Sequence, residues 1–193
     1  MKGAPHDPQL TDQLAELSVE RFQDTVYRAT RLTADPTAFS TNGGRWAPPS
    51  SYQSVPVLYT SLARDGALAE MAAWLSELSP RPTKPVVVHT LRATIEKVVR
   101  LDAVALGALD VTAADYALRN YARPGEAPPS LTQQIGAALS FLGFDGLIVP
   151  SARWPIENLI IFDNQAFGFE LEAMASEQVD WIAWHDQQAS KQG

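Results

Sequence analysis

The chain contains no cysteine in its 193 residues. A disulfide framework and a thiolate-held metal are therefore both excluded, and the absence fits a reducing compartment. Its histidines, His6, His89 and His185, are too scattered for a metal-ligand spacing such as H-x-x-x-H, so no metal site is expected. Neither a Walker A loop nor G-x-G-x-x-G occurs, and Ser151 stands in Val-Pro-Ser-Ala-Arg rather than in a G-x-S-x-G elbow. Long apolar runs are missing as well: none approaches the ~20 residues of a membrane span. Met1-Lys-Gly-Ala-Pro-His-Asp7 has no apolar stretch behind its lysine, which argues against a signal peptide. The expectation is a soluble, unprocessed, cytoplasmic chain with no membrane partner.

Positive charge is scarce. Fifteen Lys and Arg stand against 22 Asp and Glu, a formal net charge of −7, and an acidic surface repels polyphosphate, so direct nucleic-acid binding is not expected. The balance is uneven along the chain. Between Thr25 and Arg64, four arginines (Arg28, Arg31, Arg45, Arg64) face one acid, Asp35, giving +4 − 1 = +3. From Asp163 onward six acids face one lysine, giving −6 + 1 = −5. A cationic segment in an acidic chain fits a small anionic ligand, and chance clustering of surface arginines fits equally well.

At 46% hydrophobic residues the chain can build one core but not two comfortable ones. Asp7-Pro8 reads as an N-cap and first helical residue, and Leu10, Leu14, Leu17 and Phe22 predict a helix over 8–22. Thr25–Thr30 reads as a strand, and Val55–Ser61 as a second with Pro56 near its start. Asp65-Gly66 opens a helix to about Leu78. Strands follow over 85–94 and 96–101, helices over 112–122 and 130–142, and short strands over Gly146–Pro150 and Asn158–Phe162. Ser130-Leu-Thr-Gln133 is a capping box. A last helix carries Trp181 and Trp184. Strands and helices interleave without regular βαβ spacing, which implies an α+β fold with a bent or split, mostly antiparallel sheet. Residues 1–24 read as a helical extension, and 25–193 as one globular domain with an acidic C-terminal helix.

Four segments carry polar residues that a bare scaffold does not need: Tyr27-Arg28; Gly43-Gly44-Arg45-Trp46; Leu58-Tyr59-Thr60-Ser61 running into Ala67-Leu-Ala-Glu70; and Val149-Pro-Ser151-Ala-Arg153 followed by Glu157-Asn158-Leu-Ile-Ile-Phe162. Arginine offers paired, permanently charged donors for phosphate or sugar hydroxyls, or a structural ion pair. Tyr59 can stack on a flat ring or pack in the core. Glu70 on its helix can be a solvated surface glutamate or a fixed negative charge in a site.

In this order, the four motifs resemble the RES-domain family, named for an Arg, a Glu and a Ser that fall here on Arg28, Glu70 and Ser151. The resemblance spans roughly residues 25 to 163. It implies an ADP-ribosyltransferase-like fold and the toxin half of a toxin–antitoxin pair, neutralised by an Xre-like helix-turn-helix antitoxin. It further implies that NAD is consumed without a metal, by cleavage of the nicotinamide–ribose bond and transfer of ADP-ribose to a protein, water or phosphate. Glu70, Arg28 and Ser151 are then the expected catalytic residues, and Arg45, Trp46, Tyr59, Ser61, Arg153 and Asn158 the expected NAD-binding ones. Breaking that bond develops oxocarbenium character at the ribose, which calls for a nearby carboxylate. A nuclease or translation-blocking toxin, and a non-catalytic nucleotide-binding module, are the competing readings. Two features depart from the family pattern: the bulky turn Trp154-Pro-Ile-Glu157, and the first 24 residues, which are available to an antitoxin or target.

Overall fold

The computed structural model describes residues 6–113, 116, 128–163 and 169–192. Among them the order is α1 (Pro8–Ala15), β1 (Val19–Arg31), β2 (Val57–Ser61), α2 (Arg64–Ser76), β3 (Val86–Arg100), α3 (Ala103–Ala108), α4 (Leu131–Phe141), β4 (Gly146–Pro150), β5 (Glu157–Phe162), β6 (Phe169–Val179) and α5 (Trp181–Gln192). The architecture is the mixed α+β type expected. The helix expected over 112–122 lies largely outside the described residues.

The six strands form one sheet, ordered β1-β2-β5-β4-β3-β6, that also pairs β1 with β3 and so closes on itself. Every pairing is antiparallel except β3 with β4. Side chains alternate across a strand, which divides the core by face. Val26, Leu58, Leu91, Ala93, Ile95, Ile148, Leu159 and Ile161 form the cluster enclosed by the closed sheet. On the outer face, α1 and α4 pack over Val57, Leu147, Val149, Ile160 and Phe162, and α2 and α5 pack over Val86 and Val88 with Tyr27 and Ala29.

Several expectations need correction. The first helix ends at Ala15 rather than near residue 22, because the chain from Val19 pairs with β3 and Phe22 packs toward the enclosed cluster. The two strands expected over 85–94 and 96–101 are a single 15-residue strand, β3, which is long enough to pair with β1 on one edge and with β6 and then β4 on the other. β6 and α3 had no counterpart in the sequence reading. The capping box at Ser130 and Gln133 is present in both directions. Leu10 and Leu14 of α1 are core residues, 8% and 0% exposed, so the first helix is packed into the domain against α4.

Asp145, 4% exposed, begins the turn into β4 and its Oδ2 accepts the Lys97 N–H at 3.1 Å. Burial pushes its carboxyl above the ordinary value, against the opposing pull of that hydrogen bond and of the Lys97 charge. A charge on this carboxylate bears a desolvation cost in the folded chain that it does not bear in the unfolded one. Asp145→Asn keeps an acceptor and removes the charge. It raises the melting temperature at neutral pH, and the gain disappears as the pH falls through the ordinary carboxylate range, which a thermal-melt series against pH reads directly.

Candidate active site

β2 leads through Leu62 and Ala63 into α2, which lies over the outer face of β1 and β2 and carries Glu70 on its second turn. β4 ends at Pro150 and delivers Ser151 into a tight turn, closed by Ser151 N–H donating to Ile156 O at 2.7 Å. β5 starts by placing Asn158 opposite Ser61, which in turn stands beside Tyr27 of β1. These three approaches meet on one atom. Glu70 Oε1 accepts from Ser151 Oγ at 2.8 Å and from Asn158 Nδ2 at 2.9 Å.

Ser151 has no rotational freedom left. Its oxygen accepts the backbone N–H groups of Arg153 (3.1 Å) and Trp154 (3.2 Å), so its single hydrogen is directed at the carboxylate. Arg153 reaches the pair through this backbone amide. Asn158 Oδ1 is buried and has no hydrogen-bond partner among the described residues. An unmet buried acceptor costs about 1–3 kcal/mol, and its position beside Glu70 makes it a feature of the site.

A second wall comes from the glycine-rich turn. Gly44 N–H donates to Ala47 O at 2.9 Å, closing the turn around Arg45 and Trp46. Tyr59 Oη accepts the Trp46 N–H at 3.1 Å and lies so close to Gly44 that a Cβ there would overlap the phenol. From the other side, Gln133 Nε2 donates to Gly44 O (3.0 Å) and Ala47 O (3.3 Å). Gly136 lets α4 approach until any Cβ would collide with Trp46 O. The turn is clamped between β2 and α4, with the Arg45 guanidinium 5.0 Å from the Tyr116 ring centroid. Tyr116 donates to Pro150 O, next to Ser151. Burial pushes its phenol well above the ordinary value; the Arg45 charge opposes this and the Glu70 charge adds to it. Tyr116 thus stands in the field of both groups. Sequence reasoning missed it because no short motif surrounds it.

The nine expected residues are therefore placed unequally. Glu70, Ser151 and Asn158 form one hydrogen-bonded group, with Arg45 beside it across Tyr116. Trp46 and Ser61 were expected to bind the ligand, but they are 2% and 1% exposed and are packing residues: Trp46 lies in the α4 cluster, and Ser61 Oγ lies against the start of α2. Tyr59 anchors the Arg45 turn, the packing alternative left open for it. Arg28 is not brought into contact with Glu70. Tyr27 and Ala29 face α2, so alternation turns Arg28 to the same face as Val26, where its Nη1 donates to Pro36 O (2.9 Å) and Ala38 O (3.0 Å). Burial lowers its guanidinium pKa, and nearby Asp35 works in the opposite direction.

The RES-domain model matches residues 25–182. The chain belongs to the RES-domain family. The crystal structure of the M. tuberculosis MbcT–MbcA toxin–antitoxin complex contains a chain of similar fold, with a TM-score of 0.70 at 19% identity over 95% of this chain and 98% of that one. No curated protein matches the sequence. The fold is shared with the chain in that complex, and no helix among the described residues is long and apolar enough to cross a membrane.

The clamp on the Arg45 turn can be measured. Gln133→Met keeps the bulk of this fully buried side chain, removes the amide donor from Gly44 O, leaves Ala47 O with the Gly44 N–H, and takes the acceptor from the Ser130 N–H. It is expected to lower unfolding free energy by about 1–3 kcal/mol in urea titration.

Proposed function

We propose that this RES-domain chain is the growth-arresting toxin of a toxin–antitoxin pair and that it acts by cleaving the nicotinamide–ribose bond of NAD. The observation that carries the reading is the convergence of Ser151 and Asn158 on Glu70 Oε1. A carboxylate fixed through one oxygen keeps the other, Oε2, which accepts no hydrogen bond from the described residues, for a ligand. In the reaction the C1′–N1 bond breaks, its electron pair leaves with neutral nicotinamide, and positive charge develops at C1′. A preoriented carboxylate stabilises that charge without having to reorganise. An acceptor oxygen then bonds to C1′ and gives up its proton. No step requires a metal.

Arg45, held on its clamped turn, is the residue best placed to meet the pyrophosphate, since guanidinium pairs with phosphate oxygens through two donors. A ribose hydroxyl supplies the donor that Asn158 Oδ1 lacks. Arg153 contributes its backbone amide to Ser151, and its side chain is available to the ligand. Arg28 contributes through the loop it holds: its bonds to Pro36 and Ala38 order the segment that leads from β1 to the Arg45 turn. The neutralising partner is proposed to be an Xre-like helix-turn-helix protein, and the neighbouring fold's occurrence in a toxin–antitoxin complex supports a partner of that kind. ADP-ribose passes to water, phosphate or a protein in the cytoplasm.

Purified chain incubated with NAD is expected to release nicotinamide, followed by chromatography. Glu70→Gln lowers kcat by about 10²–10³-fold, and Ser151→Ala by about tenfold through loss of orientation. Labelled NAD with cell lysate separates the acceptors: a discrete labelled protein supports transfer, and free ADP-ribose supports hydrolysis. Expression without the antitoxin arrests growth, and Glu70→Gln relieves the arrest. Wild-type protein that leaves NAD intact, or toxicity that persists in Glu70→Gln, overturns the reading.

A further inference from the structure

Two features have no role in the site as described: the indole side chain of Trp154 in the turn after Ser151, and the C-terminal helix α5. In the structure they touch. The Trp154 and Trp184 ring centroids lie 5.6 Å apart, with their planes inclined by 43°.

α5 has a second attachment. Trp181 is fully buried with Leu68, Ala72 and Leu75 of α2, and the Arg81 guanidinium lies 4.7 Å from its ring centroid. Trp184 follows Trp181 by three residues, so both project from the same side of the helix. One helix therefore touches both segments that supply the hydrogen-bonded pair: α2, which carries Glu70, and the 151–156 turn, which carries Ser151. The link to the chemistry is short. Trp154, whose indole meets Trp184, donates its own N–H to Ser151 Oγ at 3.2 Å, and its carbonyl accepts from Ile156 N–H at 2.8 Å. A displaced Trp154 moves a donor off the serine oxygen and frees the hydroxyl to turn away from Glu70.

We infer that α5 braces the Glu70–Ser151 pair and that Trp184 is a positioning residue, acting through Trp154 on the serine hydroxyl. The kinetic part of this inference rests on the NAD-cleaving reading, and the structural part does not.

The test uses the full chain with Trp184→Ala, Trp184→Phe and Trp154→Ala. It measures amide hydrogen exchange at Arg153 and Trp154, and kcat and KM for NAD. In Trp184→Ala, exchange at those two amides accelerates about tenfold while the core strands keep their protection. The same variant loses about tenfold in kcat with KM held within about twofold. Trp184→Phe, which keeps an aromatic face, restores both, and Trp154→Ala reproduces the loss. Unchanged exchange at Arg153 and Trp154 in Trp184→Ala overturns the brace. So does a loss of kcat accompanied by uniformly faster exchange through β3 and α2 and not rescued by phenylalanine, since that is ordinary destabilisation. If the wild-type chain leaves NAD intact, the functional reading fails while the exchange comparison still decides the brace. Should Trp184→Ala not fold, Trp154→Ala reads the contact from the turn. If neither variant folds, the pair belongs to the core and the inference falls.

Discussion

The carboxylate oxygen shared by Ser151 and Asn158 fixes the relation between three parts of the chain that are far apart in sequence. Glu70 can reach both donors only if α2 lies over β1 and β2, if β4 ends at Pro150, and if β5 pairs with β2 in the register that sets Asn158 opposite Ser61. A slip of one residue in β5 would turn Asn158 toward the enclosed cluster and bring Leu159 to the carboxylate. The burial of Leu159 and Ile161 on one side and of Ile160 and Phe162 on the other resists that slip. The packing of an otherwise ordinary strand thus sets the position of a polar group to within a hydrogen bond.

The Arg45 turn shows how much buried structure stands behind one half-buried cation. Tyr59 and Gln133 satisfy its backbone from opposite sides, while Trp46 goes into the core and leaves Arg45 at the edge. Gln133 is also half of the capping box of α4. The start of that helix and the shape of the turn are consequently one arrangement, with a fully buried amide as their common member.

Local chemistry was the part of the structure the sequence disclosed best. The capping box lies where its motif placed it, the two closing strands lie where they were expected, and a last helix carries Trp181 and Trp184. β6 is different. Phe-Glu-Leu-Glu-Ala-Met-Ala-Ser-Glu-Gln-Val is rich in good helix formers, yet it is a strand because the long edge of β3 offers it ten paired residues. The same long strand drew residues 19–22 out of a helical pattern. In the candidate site, the motifs named Glu70, Ser151 and Asn158, but they could not tell which neighbour in Tyr27-Arg28 faces α2. That depends on strand parity, and parity is fixed by β3 and β2 rather than by anything local. Nor could the motifs tell that the Trp46 and Ser61 side chains are buried, since that depends on packing against α4 and the start of α2.

β6 lies at the end of the sheet order, and among the described residues it is paired on one side alone. The row of main-chain donors and acceptors along its free edge is the kind of template on which other chains assemble. Glu170, Glu172 and Glu177 stand along it, and the register shifts near Met174. Charge and irregularity together deter stacking there. Arg64 holds the Glu177 carboxyl below its ordinary value, so one of the three guards keeps its charge further into acid than an unpaired glutamate does. Resistance to edge-to-edge association is accordingly placed on a strand that contributes none of the residues of the proposed site.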